Sequence, residues 1–530
     1  MFLQGRPFRV FAAVAALGLP ISSHAGTTIN AVWTGGGLSD SWNDTANWSG
    51  GNQPLGGDAN TVIHFAGATR TTPNNDYGAF TLESQIVFDS GASSFTLGGN
   101  AIKLNFKIEN NSSVLQTYNM SGLSLTPTNS GGIVELDPTN ADLTVNTPGS
   151  ALFLDNNAEL DVYGSNVLTL NASVQNGGGS TGKFALQGPA SVVFNAANTY
   201  TGGTFINNGS LQFDTNGSAA GTLNLGNTSG SNSSSIYIRP ATGGKTVSND
   251  ITVRSGSTGT STIGGLNTSG TNTYTGTITL NRGVNLSSVS GGTVAFNTLT
   301  AASSQTATVT GGGTVQFTGS ADNLNIGATV NNGTLQLAKT SSSTVHAIGG
   351  GLTVNNGGTV VLGGTGGDQI YTGSSVSINN GGTFRTSGLS EGSSTTGSTA
   401  GVGALTLQGG ATVDFAAGAN GSTLSAASGV VSGSGVIAIL NWTGALFADN
   451  GSSTNDRLLF QTDPGLSANQ LAQFQFYDDS GKAIGMGAAQ IAFNGWTEIV
   501  PVPEPTTWIS AAMSLGGLIF FSARRSRFRR

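Results

Sequence analysis

A chain of 530 residues with 82 glycines and no cysteine has no means of forming a disulfide, a thiolate metal site or a cysteine nucleophile. With 8% charged and 37% hydrophobic residues it is no disordered polyelectrolyte, and its runs of Val, Leu, Ile, Phe and Thr read as all-β. Two of the 19 Lys and Arg lie in the first nine residues and five in the last seven, so 12 basic residues stand against 26 acidic ones; that central stretch, near −14, is unsuited to nucleic acid or anionic lipid.

Residues 1–25 read as a secretory signal peptide. Arg6 and Arg9 precede an apolar run from Val10 to Leu19, and Ser23-His24-Ala25 supplies a small-x-small site for cleavage after Ala25. Residues 26–79 follow as a Trp-rich N-terminal cap, with Trp33, Trp42 and Trp48 within sixteen residues. The first turn of a strand stack exposes apolar side chains and unpaired edges, which large aromatics cover. In an alternative reading the same three residues bind carbohydrate, because sugar rings stack on aromatic faces.

Residues 80–435 form a repeat array. Asn331-Asn332-Gly333, Asn355-Asn356-Gly357 and Asn379-Asn380-Gly381 recur every 24 residues, preceded in matching register by Ala328 and Val330, Leu352 and Val354, and Val376 and Ile378. The alternation is that of a strand; with one repeat per coil, equivalent residues stack about 4.8 Å apart and the apolar pairs fill the inside. Asn tolerates the left-handed conformation and Gly takes positive φ freely, so each word turns a corner, and stacked Asn side chains can hydrogen-bond along the stack. The array then holds about 15 turns in a rod about 70 Å long. A Gly/Ser/Thr-rich run from Ser387 to Thr399 reads as a loop bulging from one corner.

From Val436 the texture changes, and residues 436–500 read as a C-terminal cap around Asn441-Trp442-Thr443-Gly444, with Gly485 to Pro501 as a linker. Residues 501–530 hold Pro503-Glu504-Pro505, an apolar run from Trp508 to Ala523, and Arg524, Arg525, Arg527, Arg529 and Arg530. The run is shorter than the roughly 20 residues that span a bilayer comfortably. Flanking Arg side chains snorkel and hold the end on the cytoplasmic side, so the expectation is a single membrane-spanning helix.

Two resemblances follow from these residues. The Pro-Glu-Pro motif, short span and Arg cluster resemble the PEP-CTERM sorting signal of Gram-negative bacteria. This implies an exosortase-type membrane protease as partner, an inner-membrane intermediate, and delivery to the cell surface or extracellular matrix, with Pro503, Glu504 and Pro505 as the recognition motif. The stretch Asn198-Thr199-Tyr200-Thr201-Gly202-Gly203-Thr204-Phe205-Ile206-Asn207-Asn208-Gly209-Ser210-Leu211-Gln212-Phe213 resembles the autotransporter-associated β-strand repeat, parts of which return at Asn272 to Gly276 and Gly333 to Leu337. That resemblance implies a right-handed parallel β-helix. A full autotransporter would need a C-terminal membrane barrel, and this chain ends in arginines instead.

Catalytic signals are thin. After signal removal two histidines remain, His64 and His346, and neither sits in a metal or triad pattern. Glu135, Asp137, Asp142, Asp155, Glu159 and Asp161 are the densest acidic group, read as solvated outward carboxylates; adjacent turns could align them on Ca²⁺, but the spacing is neither that of an EF-hand nor that of a nonapeptide repeat. Asp478-Asp479, beside Lys482, is the only Asp pair. No cofactor, metal or catalytic residue is expected. The reading is an exported, non-catalytic solenoid that adheres to exopolysaccharide; the alternatives are a polysaccharide lyase or hydrolase on the same fold and a Trp-based carbohydrate-binding protein.

Overall fold

The computed structural model describes residues 29–502 except Leu55, Asp58, 418–420, 445–453 and Met486. The signal peptide with Ala25, and the tail with Pro503, Glu504, Pro505 and the five arginines, lie outside the described residues. Among the described residues no helix is long and apolar enough to cross a membrane.

The chain winds into a parallel β-solenoid of about 16 turns, close to the expected number. Its strands stack into two long ladders of 23 and 19 members. Winding follows from the register: Ala328 pairs with Leu352 and Val330 with Val354, then Leu352 with Val376 and Val354 with Ile378. Each step joins equivalent positions one turn apart. Side chains alternate, so one column of every strand points inward; Val162, Leu186, Ile206, Leu225, Val253 and Leu280 make such a column, each no more than 1% exposed. At about 25 cal/mol per Å² of apolar area, stacking such columns is the main favourable term.

The corners behave as their chemistry dictates. Gly333, Gly357 and Gly381 have φ of 81°, 80° and 75°. Asn355 Nδ2 donates to Asn331 Oδ1 at 2.7 Å and Asn379 Nδ2 to Asn355 Oδ1 at 2.6 Å, a ladder along the rod. A second such ladder links Asn146, Asn171 and Asn195 at 2.8 Å per step. The Asn207-Asn208-Gly209 word turns a different corner: it leads from the larger ladder into the smaller one, whereas Asn331-Asn332-Gly333 leads back. Early turns carry three strands, such as Leu152–Leu154, Glu159–Val162 and Val167–Leu170. Later turns carry two, and the third side reduces to isolated bridges such as Ile348 with Ile370.

Both ends are closed by aromatic residues. Trp33 and Trp48 meet edge to face at 5.1 Å, Trp42 and Trp48 at 5.9 Å, and Phe65 continues the stack to Phe88 at 5.6 Å. At the other end Trp442 packs against Phe415 and Phe476. The expected linker is instead structured: Ala488–Phe493 and Trp496–Pro501 form an antiparallel hairpin whose second strand pairs antiparallel with Arg457–Phe460. Arg457 bonds Glu498 at 3.2 Å, with both side chains buried, and its guanidinium lies 3.7 Å from the Phe493 ring centroid. An antiparallel strand laid on the last parallel one ends the smaller ladder. The run from Ser387 to Thr399 does leave a corner, but Glu391 inside it is buried and accepts from the backbone N–H of Gln369 and Ile370, so the loop docks back on the rod.

Candidate functional site

The tryptophans, read as a cap and alternatively as a sugar platform, offer no face to a sugar. Trp33 and Trp42 are 0% exposed and Trp48 is 2% exposed. Stacking on a sugar requires an exposed ring, and these indoles spend their faces on each other and on Phe65; the Trp48 Nε1–H donates to the Trp42 carbonyl at 2.8 Å and the Trp33 Nε1–H to the Arg70 carbonyl at 3.1 Å. They cap the stack.

His64 Nδ1 lies 2.9 Å from Asp89 Oδ1 on the next turn, and the buried His346 places Nδ1 3.3 Å from Asp322 Oδ1. The two histidines sit in separate parts of the stack. Asp478 closes a surface turn, accepting from the Ser480 hydroxyl at 2.6 Å and from the Lys482 and Ser480 N–H groups at 2.9 Å each, and these bonds, the hydroxyl's first, hold its carboxyl below the ordinary range. Among the described residues no three His, Asp or Glu side chains converge as a metal ion requires.

Two faces of the rod stand out. The first is neutral. Thr271, Thr293, Thr314, Thr334, Thr359, Thr383 and Thr412 pair in register across seven consecutive turns of the larger ladder, all on the outer side. On the smaller ladder Thr308, Thr329, Thr353, Ser377 and Thr406 form a second column beside the Asn corner ladder. Branched Thr suits outward strand positions, and cross-strand Thr pairs are favourable. The outcome is a stiff, repeated row of hydroxyl and methyl groups.

The second face is charged. In the larger ladder Lys107 pairs with Glu135 and Glu135 with Asp161, while Glu109 pairs with Asp137, and Glu159 with Lys183. Their inward neighbours, Ile108, Val134, Leu136, Leu160 and Val162, are core residues, so all seven charged side chains share the outer side. Lys107 Nζ bonds Glu109 Oε2 at 2.9 Å, and Lys183 bonds Glu159. Asp137 Oδ1 accepts from the Tyr163 N–H at 2.8 Å, and Asp161 Oδ2 from the Tyr163 hydroxyl at 3.1 Å. Burial, then the neighbouring Asp137 charge, pushes Glu135 up to about 7. Burial, then the Glu159 charge, does the same for Asp161, to about 7. Asp137 is raised as well, mainly by burial. A hydrogen-bonded row continues along the rod: Asn207 Nδ2 donates to Gln187 Oε1 at 2.7 Å, and Arg254 donates to Asn207 while its guanidinium lies 5.7 Å from the Phe205 ring centroid. At the corner leading into this face is an open groove of about 520 Å³, lined by Lys103, Thr126, Asp155, Asn156, Asn157 and Gly178 to Ser180.

The structure therefore brings together four of the six acidic residues picked from the sequence; Glu135 and Glu159 are partly exposed, and the other two are not the solvated side chains expected. Asp161 is 0% and Asp137 6% exposed. Lys107, Glu109, Tyr163, Lys183, Gln187 and Arg254 were not singled out by sequence, although Glu135 and Asp137 alternate as outward strand positions do. No protein family, no curated protein and no solved structure matches this chain.

Proposed function

We propose that this protein is an exported, non-catalytic, right-handed β-solenoid, sorted through its C-terminal motif and working as a structural or adhesive component of the cell surface or extracellular matrix. The observation that carries the adhesive part is the column of seven threonines in register, beside the parallel Thr/Ser column on the other ladder. Each hydroxyl makes a hydrogen bond of small net value, about 1 kcal/mol, but a rigid row presents many at fixed spacing to a polymer, and strength arises from repetition. Exopolysaccharide is the partner such a face suits.

The sorting part rests on residues 501–530: Pro503, Glu504 and Pro505 as the motif read by an exosortase-type protease, the apolar run as a single membrane-spanning helix, and the five arginines as its cytoplasmic stop. The signal peptide ending at Ala25 starts export. Intact mass and membrane fractionation in the native host, beside a Glu504→Ala variant, test this reading. Loss of the Arg-rich tail in the natural protein and an uncut inner-membrane form in the variant are expected. Retention of residues 501–530 in both would sink the sorting step, and unchanged polysaccharide retention by a deletion strain would sink the adhesive one.

A further inference from the structure

The charged face stands out on a rod whose outer side is elsewhere mostly Thr, Ser and Asn, with only scattered pairs such as Arg239 with Asp214 and Arg385 with Asp414. Five carboxylates, Glu109, Glu135, Asp137, Glu159 and Asp161, share it with two lysines, and each lysine is spent on a glutamate. Glu135, Asp137 and Asp161 are left without an ion pair among the described residues. Asp161 adds an independent observation: it is 0% exposed, yet its Oδ1 has no hydrogen-bond partner. A buried acceptor left unmade costs about 1–3 kcal/mol, more for a charged group, so this oxygen marks a place where a donor belongs.

We propose that this face binds a cationic amino-sugar polymer, its ammonium groups meeting Glu135 and reaching Asp137 and Asp161 by displacing the exposed Tyr163 side chain that bonds Asp161, and its hydroxyl groups entering the adjoining corner groove. The class of ligand follows by elimination and fit. A metal ion needs converging oxygens, which are lacking among the described residues. The carboxylates are instead spread over adjacent turns about 4.8 Å apart, which suits charges carried at intervals on an extended chain. The groove supplies the neutral donors and acceptors of Thr126, Asn156, Asn157 and Ser180. Asn157 lies two residues before Glu159, and Ser180 three before Lys183, so groove and carboxylates adjoin. Tyr163, 42% exposed and bonded to Asp161, adds a ring on which a sugar can stack. Uronate polymers are rejected by like charge. The proposal takes its setting from the adhesive reading above and its ligand class from the geometry of this face.

The test is titration calorimetry of the mature full-length chain with a glucosamine oligomer at about pH 6, beside an N-acetylglucosamine oligomer, an oligo-uronate and spermine. The expected result is binding of the glucosamine oligomer with release of protons, read from the dependence of heat on buffer, as ammonium groups restore charge to Glu135 and Asp161 amid Lys107, Glu109, Glu159 and Lys183. The other three probes should bind at least about tenfold more weakly, about 1.4 kcal/mol. Glu135→Gln with Asp161→Asn should weaken binding about tenfold or more and abolish proton release, with Asp250→Asn on a distant turn unchanged. Tyr163→Ala, which removes the stacking ring and the hydroxyl bond to Asp161 but keeps the backbone N–H that bonds Asp137, should also weaken binding. Equal binding of all oligomers, spermine as tight as the glucosamine oligomer, or full binding by the double variant would overturn the proposal. Host polysaccharide retained equally by natural and double-variant protein would overturn the ligand class and leave the adhesive reading standing; charge-dependent oligomer binding without retention of host polysaccharide would do the reverse.

Discussion

The turns around Asn331 to Asn379 and the turns around Lys107 to Gln187 are alike inside and opposite outside. Leu352, Val354 and Ile378 of the smaller ladder in the first, and Leu160, Val162 and Leu186 of the larger ladder in the second, occupy inward columns at no more than 1% exposure. Outside, the first region presents Thr, Ser and a hydrogen-bonded Asn ladder, the second a set of crowded carboxylates. Because each turn touches only its neighbours, the outer columns of one region are free of the other's constraints. The core specifies the stack, and the surface specifies what a given stretch of it does.

The most forceful way to break this comparison is inside. Leu160→Ala and Leu352→Ala are each expected to cost about 2–5 kcal/mol, read as lost hydrogen-exchange protection of the flanking turns, since a long stack is not one cooperative unit. A large loss in one region and none in the other would disprove equivalent interiors. Corners come next: Gly333→Ala forces a Cβ to 2.6 Å from the Gly313 carbonyl oxygen at φ 81°, and about 1–3 kcal/mol of local stability should go. Asn355→Ala removes one bond on each side of the ladder, and local destabilisation of about 1 kcal/mol is expected in denaturant titration. A null result would make the ladder decorative.

A further prediction separates the two outsides by pH. Glu135 and Asp161 have folded values near 7, above the ordinary carboxylate value of about 4, so between those limits the folded state holds more protons than the unfolded. Stability of the charged region should therefore fall as pH rises from about 4 through about 7. Glu135→Gln with Asp161→Asn should flatten that slope. Exchange protection that rises with pH in the natural protein would reverse the sign and refute the assignment.

Much of this was legible in the residues. The 24-residue spacing gave the stack, the apolar pairs gave the register, and the Asn-Asn-Gly word gave both the left-handed glycine and the side-chain ladder. The charged face was hidden by a change of spacing: Glu159 lies 24 residues after Glu135, but its partner is Ile133, and Asp161 is the residue that meets Glu135. A turn two residues longer than the expected period reassigns every neighbour on its surface. The C-terminal hairpin was missed because a Gly- and Ala-rich stretch leading to prolines carries a weak strand signal. Clustered tryptophans signal an aromatic site and an aromatic plug equally well in sequence, and burial decides between them.

The equal offsets at Ala328, Leu352 and Val376 have a genetic meaning. Excising or duplicating one 24-residue unit leaves every surviving column in line, because the residue brought into contact has the same inward or outward sense as the one removed. Unequal crossing-over between segments that share the Asn-Asn-Gly word therefore changes the reach of the rod without requiring a new core. For a lineage carrying such a gene, length is the trait most readily varied, and the closed ends are the parts that must be inherited intact.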